Sequence, residues 1–278
     1  MLNKLPSVPQ RLPLLPTLST TFSQMFNPFS YPILVFVASL CGLWISGWIG
    51  GAFRRWQRKD QNESNEDFDI LLGATLTLLG LIIGFTFSMA VGRYDQRKNL
   101  EEQEANAIGT EYVRADLLPV ADAAKVRALL KSYLDQRILL YLSPGGEPLR
   151  RINAQTAQLQ NQMWSAVAAS AGAQPTPVAA LVLAGMNDVL NSQGYTQAAW
   201  WNRIPVAAWT LLIAMSIFCN LLMGYRAQGK SRILFMILPV ALSISLFLIA
   251  DIDSPRRGVI RVHPQNLESL ASSLNSSG

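Results

Sequence analysis

Residues 70–92 read ILLGATLTLLGLIIGFTFSMAVG and contain no charged side chain. A helix crosses a bilayer with roughly 20 apolar residues, so this stretch is long enough to span. Three further runs match it. Tyr31 to Phe53 and Ile204 to Tyr225 are also free of charge. Ile233 to Ala250 is shorter but holds twelve Leu, Ile, Val or Phe residues. Each favours the membrane centre by about 0.3–0.6 kcal/mol, enough together to outweigh Pro239, Ser243 and Ser245. Backbone crosses lipid only when its polar groups are satisfied internally, so all four runs read as helices. The alternative is a set of core helices in a soluble protein, which would need protein to cover four such runs in one small chain.

Composition agrees. Of 278 residues half are apolar, and 15% are charged against a usual share near ~25%. So apolar a chain excludes a disordered protein, and two cysteines exclude a disulfide scaffold. The net charge of +5 fits basic loops flanking spans, and nucleic acid is not an expected partner. Trp48, Trp56, Trp200 and Trp201 stand near span ends, where amphipathic rings prefer the lipid–water interface. Cys41 and Cys219 lie inside spans and read as inert apolar residues.

The organisation follows from the spans. Residues 1–30, with Lys4 and Arg11 as charges, form an irregular tail. Residues 31–92 form a first transmembrane hairpin and 204–252 a second. Between them, 93–203 is the sizeable soluble region, and 253–278 is a C-terminal tail. Val126, Leu129, Leu130, Tyr133, Leu134, Ile138 and Tyr141 share one helical face, Ile152, Leu159, Met163 and Val167 make a weaker stripe, and Val178, Leu181, Val182, Met186, Val189 and Leu190 make another. Breaks fall at Pro119, Pro144-Gly145-Gly146 and Pro175-Thr176-Pro177. The fold class is therefore an all-α integral membrane protein with a helical bundle between two hairpins.

No proline occurs between Pro32 and Pro119, so the second span is expected to continue beyond Gly92. A helix over 70–118 would be about 73 Å long, more than twice the hydrocarbon thickness of roughly 30 Å. Its far half, with Arg93, Arg97, Lys98, Glu101, Glu102 and Glu104, is expected to stand in water. Basic residues near the span ends number seven on each side, so the positive-inside rule leaves the orientation open.

Catalytic chemistry is scarce. His263 is the single histidine and reads as a surface residue. There is no metal-ligand spacing, phosphate-cradling glycine loop or nucleophile elbow, and no metal, cofactor or enzyme activity is expected. Glu101, Glu102 and Glu104 read as a solvated face rather than a cation site. The second span is richer. Gly73, Thr77, Gly80, Gly84 and Ser88 recur every three or four residues along one face. That face either packs tightly against another helix or lines a pore, with Leu81 and Phe85 as a dewetting constriction. At the end of the fourth span, Asp251, Asp253, Arg256 and Arg257 form a charge cluster at the membrane boundary. It is expected to pair internally or with the second helix, as a structural clamp or an ion site.

Several segments resemble the bestrophin-like domain family: GFTFSMAVGRYD at 84–95, EANAIGT at 104–110, RADLLP at 114–119 and DSPRRGVIRV at 253–262. The resemblance covers about residues 31 to 270 in order. Likeness to bestrophins proper lies mainly in the second span. Those are pentameric anion channels with a pore-lining second helix. The resemblance implies Thr77, Leu81 and Phe85 as pore or neck positions, with Thr77 polar where bestrophins are usually apolar. It implies Arg93-Tyr94 as the following Arg-aromatic pair, and a cytoplasmic soluble domain and termini. Arg93, Tyr94, Arg97 and Lys98 become the inner mouth, whose basic residues favour anions. Asp251 and Asp253 are too few for the acidic calcium clasp of animal bestrophins, so calcium gating is not implied. The leading expectation is a homo-oligomeric, pentameric channel in the plasma membrane, embedded in the lipid bilayer and passing small inorganic ions, anions first, although Glu101, Glu102 and Glu104 a turn further on would favour cations. Its rival is a non-conducting scaffold or sensor whose bundle binds a partner.

Overall fold

The computed structural model describes residues 31–56, 65–226 and 232–276, with 65–67 and 232–235 as backbone only. The tail 1–30, including Lys4 and Arg11, lies outside the described residues, as do Arg58, Lys59 and Lys230 in the two linkers. No strand occurs among the described residues. The spanning helices are α1 (Pro32–Trp56), the membrane half of α2 (Asn65–Arg114), α6 (Val206–Arg226) and α7 (Arg232–Asp253). The bundle adds α3 (Val120–Leu142), α4 (Gly146–Ala173), α5 (Pro177–Trp201) and α8 (Gln265–Ser276).

The unbroken α2 has 50 residues, about 75 Å of helix. The threonines of its membrane half do not interrupt it, because each returns its hydroxyl to the carbonyl four residues back. Thr75 donates to Leu71 at 2.6 Å, Thr77 to Gly73 at 2.9 Å and Thr86 to Ile82 at 2.8 Å. Within the membrane these hydroxyls therefore need no outside partner. The helix stops at Arg114, short of 118. Ala115–Leu117 tightens into a 3-10 turn and Pro119 caps α3, since a proline ring cannot follow a continuing α-helix without clashing.

The other breaks act as their residues dictate. Gly145 and Gly146 take positive φ angles of 104° and 70° between α3 and α4, a region side chains with a Cβ rarely enter. Thr176 caps α5 by accepting from the Ala179 amide at 3.1 Å, with Pro177 in the first turn.

In the membrane, α1 lies along α6 and α7, and α2 lies along the same two helices. Beyond it, α2 packs on α5 and α8. Ile108, Val126, Leu130, Tyr133, Met163, Val182 and Leu267 form one apolar core joining α2 to the bundle.

The C-terminal stretch read as a tail contains a packed helix. Leu267 and Leu274 are buried and Leu270 packs against the same core; their three- and four-residue spacing gives α8 one apolar face. Its amino end is capped from a distant helix. Glu101 of α2 accepts from the Asn266 and Leu267 amides at 3.0 Å each and from Asn266 Nδ2 at 2.7 Å. A carboxylate there answers both the free amides and the positive end of the helix dipole.

Candidate pore face and membrane boundary

Two opposite stripes run the length of α2. The inner stripe is buried: Leu79, Thr86, Ala90, Arg97, Glu101, Glu104, Ile108 and Glu111. The outer stripe follows steps of three or four residues and is exposed throughout. It begins with Thr77, Leu81, Phe85, Ser88 and Gly92 and continues with Gln96, Asn99, Gln103, Asn106 and Thr110. Leu81 is 53% and Phe85 66% exposed. A Cβ added at Gly73, Gly80, Gly84 or Gly92 would meet nothing within 4 Å. Among the described residues nothing packs on this face. It is apolar within the membrane and lined by neutral amides and hydroxyls beyond it.

The inner-mouth residues do not act as a set. Lys98 is exposed, whereas Tyr94 packs with the membrane core around Trp209. Arg93 is half-buried with Nη2 3.6 Å from Met89 Sδ. Arg97 is only 2% exposed and turns away from solvent. It donates from Nη2 to the Ile252 carbonyl at 2.6 Å and from Nη1 to that of Asp253 at 3.4 Å. Carbonyls at a helix end lack intrahelical donors, and a cation there also suits the dipole. Arg97 thus ties α2 to the end of α7.

The acidic run is likewise not a solvated face. Only Glu102 is exposed. Glu101 caps α8, and Glu104 is fully buried against Arg137 of α3. Arg137 Nε and Nη2 both donate to Glu104, and Thr196 of α5 adds a hydroxyl at 3.2 Å. The two charges are mutually satisfied where either alone would be costly. No distance along the sequence announces this, because Arg137 lies 33 residues from Glu104.

At the end of α7 the charge cluster is dispersed among different partners. Asp251 accepts from the Val259 and Ile260 amides at 2.7 and 2.8 Å, closing the turn after the helix. Gly258 is required there, since a Cβ would strike the Asp251 carbonyl oxygen. Asp253 accepts from the Ile204 amide at 3.1 Å, at the entry to α6. Arg256 lies 4.1 Å over the Trp200 ring and donates to the Leu140 carbonyl at 3.0 Å. Arg257 lies 4.1 Å over Tyr31. The acids and arginines therefore bind backbone and rings rather than one another. Trp200, expected at the lipid interface, is buried and meets Tyr141 edge-on, whereas Trp201 beside it is exposed.

The opposite membrane end has its own tie. Arg54 donates to the Tyr225 and Arg226 carbonyls at 3.0 and 3.1 Å, and Arg226 forks onto Asp69 at 2.7 and 2.8 Å. His263 is exposed. Among the described residues no group of three His, Cys, Asp or Glu is placed to hold a metal ion.

Four apolar helices, one continuing far beyond the bilayer into a helical bundle, define a multi-pass integral membrane protein. Its fold is that of the bestrophin homologs. A crystal structure of a bacterial bestrophin homolog from Klebsiella pneumoniae, in a point-mutant form, superposes with a TM-score of 0.62 at 15% identity, covering 89% of this chain and 99% of that one. A second mutant of that homolog gives 0.61 at 14% identity, covering 87% and 94%. A structure described as a membrane protein gives 0.62 at 14% identity, covering 88% and 97%. The bestrophin-like domain model matches residues 37–267, and the chain belongs to that family. Curated protein sequences give no match.

Proposed function

We propose that the chain assembles into a homo-oligomeric ion channel, a pentamer, with α2 of each subunit lining the path. The reading places it in the plasma membrane with termini and bundle in the cytoplasm, and makes it a conduit rather than an enzyme. One observation carries it: among the described residues the outer stripe of α2 stays unpartnered from Thr77 to Thr110, while the stripe on the opposite side of the helix is buried. An apolar constriction followed by polar side chains is what a dewetting gate and its vestibule need. Family membership and the shared fold support the same reading.

The charge preference follows from which charges stay exposed. Arg97 is buried and Arg93 half-buried, leaving Lys98 against the exposed acids Asp95 and Glu102 beside the stripe. Two acids against one base favour small cations over the anions that the basic residues alone would favour.

The test is current through purified protein in a planar bilayer under a potassium chloride gradient. Reversal near the potassium potential is the expected result, and reversal near the chloride potential would return selectivity to the basic residues. The double substitution Leu81→Ala, Phe85→Ala is expected to raise conductance severalfold by widening the neck. Unchanged conductance in that variant would remove the neck assignment.

A further inference from the structure

A cavity of about 540 Å³ lies where the bundle meets the membrane, between α3, α4, α5, the entry to α6 and the turn after α7. Its walls carry three arginines, Arg137, Arg203 and Arg256, and no Asp or Glu. Asn153, Gln193 and Gln197 add amides, and Trp200 and Trp201 add rings. Two acids stand near it: Glu104 is paired with Arg137, and Asp253 accepts from the Ile204 amide and attracts Arg203.

Two of the lining residues hold buried donors without a partner. Arg137 is 1% exposed, and its Nη1 has no hydrogen-bond partner; neither has Trp200 Nε1, also buried. A buried donor left unsatisfied costs free energy that an acceptor would recover. The arginines also crowd one another. Burial first, then Arg137 and Arg203, pull Arg256 down to about 10, and burial lowers Arg203 as well. An anion between them would relieve both the burial and the repulsion.

Size and geometry select the anion. Guanidinium forks and amides match a tetrahedral group with several acceptor oxygens, and the volume far exceeds a bare halide. The rim includes Trp201 and Val206, both exposed at the start of the third span. We propose that this cavity binds a phosphate-bearing anion, supplied by a lipid headgroup at the membrane boundary or by free phosphate. The site lies apart from the α2 stripe and does not depend on conduction.

The experiment uses the full chain in dodecyl maltoside. Thermal melting is followed during titration with inorganic phosphate, with chloride of equal ionic strength as control, and separately with dioleoylphosphatidylglycerol against dioleoylphosphatidylcholine. The key variant is Gln197→Glu, which adds a negative charge while keeping an acceptor for Gln193 Nε2, now 2.8 Å away. It is expected to weaken the apparent affinity by about tenfold or more. Asn153→Asp, on the exposed rim, serves if Gln197→Glu alters the elution profile. A shift with phosphate identifies the free anion as a source, and a shift with phosphatidylglycerol identifies the headgroup. No shift with either probe overturns the site, and so does an equal shift in wild type and variants.

Discussion

The first and second spanning helices both carry glycine pairs, and the fold uses them in opposite ways. In α1, Gly47 and Gly50 press against α6. A Cβ on Gly50 would strike the Leu221 carbonyl oxygen, and one on Gly224 would strike that of Gly47. Ser46 completes the seam by donating to the Ile217 carbonyl at 2.8 Å. In α2, Gly80 and Gly84 meet nothing. Small residues let helices approach in lipid, where apolar burial gives little drive. The α1 seam is spent holding one subunit together. The α2 face is left for whatever lies outside it, a path or a neighbouring copy.

The sharpest way to break this contrast is to fill the closed seam. Gly224→Leu places a side chain where backbone touches backbone, so no rotamer escapes the clash. Overpacking of this kind costs about 3 kcal/mol or more. The expected outcome is loss of the monodisperse species on size exclusion, or a strongly lowered Tm. A variant that melts like wild type would mean that α1 and α6 are not in this contact.

The contrast recurs within α2 itself, at its far end. There Glu111 is buried against Gly185 of α5, and neither carboxylate oxygen has a hydrogen-bond partner. Burial, with Asp188 adding to it and Arg114 opposing, raises its pKa from 4.5 to about 8. The folded protein therefore keeps this proton over a range where the unfolded chain has released it. Stability from the neutral acid is complete below about 4.5 and is lost as pH rises through about 8. Glu111→Gln mimics the protonated form. It should match wild type near pH 5 and exceed it above pH 8 by on the order of 2 kcal/mol. Parallel Tm profiles for the two proteins across that range would show that Glu111 ionises normally.

How much of this was legible in the sequence depends on the range of the cause. The spans, the long α2 and the breaks at Pro119, Gly145 and Pro177 come from local chemistry, and they were readable from periodicity and backbone restriction. Helix α8 had a signal in Leu267, Leu270 and Leu274 that the label of a tail passed over. The burial of Arg97, Glu101 and Glu104 had none. Their partners lie 155, 165 and 33 residues away, and a polar run on a helix looks the same whether water or a matching charge receives it. The arginine cavity is similar: Arg256 stood out beside the membrane, but Arg137 gained meaning only when α3 brought it there.

The smallest effect is also the one that separates a path from a seam. Gly80→Ala and Gly84→Ala add methyl groups that meet nothing within 4 Å in the subunit, so the subunit should tolerate both. Alanine favours the helix over glycine by about 1 kcal/mol at most per site, giving an unchanged or slightly raised Tm. The informative readout is assembly, measured by light scattering on the eluting protein. If the face borders an open path, the double variant keeps its oligomeric mass, because water yields to a methyl group. If the face is where copies of α2 touch, two methyls separate the backbones and the oligomer falls apart while each subunit stays folded. Intact mass with preserved melting would support the channel reading. Dissociation with preserved melting would assign the glycines to packing between subunits, and would move the constriction away from this face of α2.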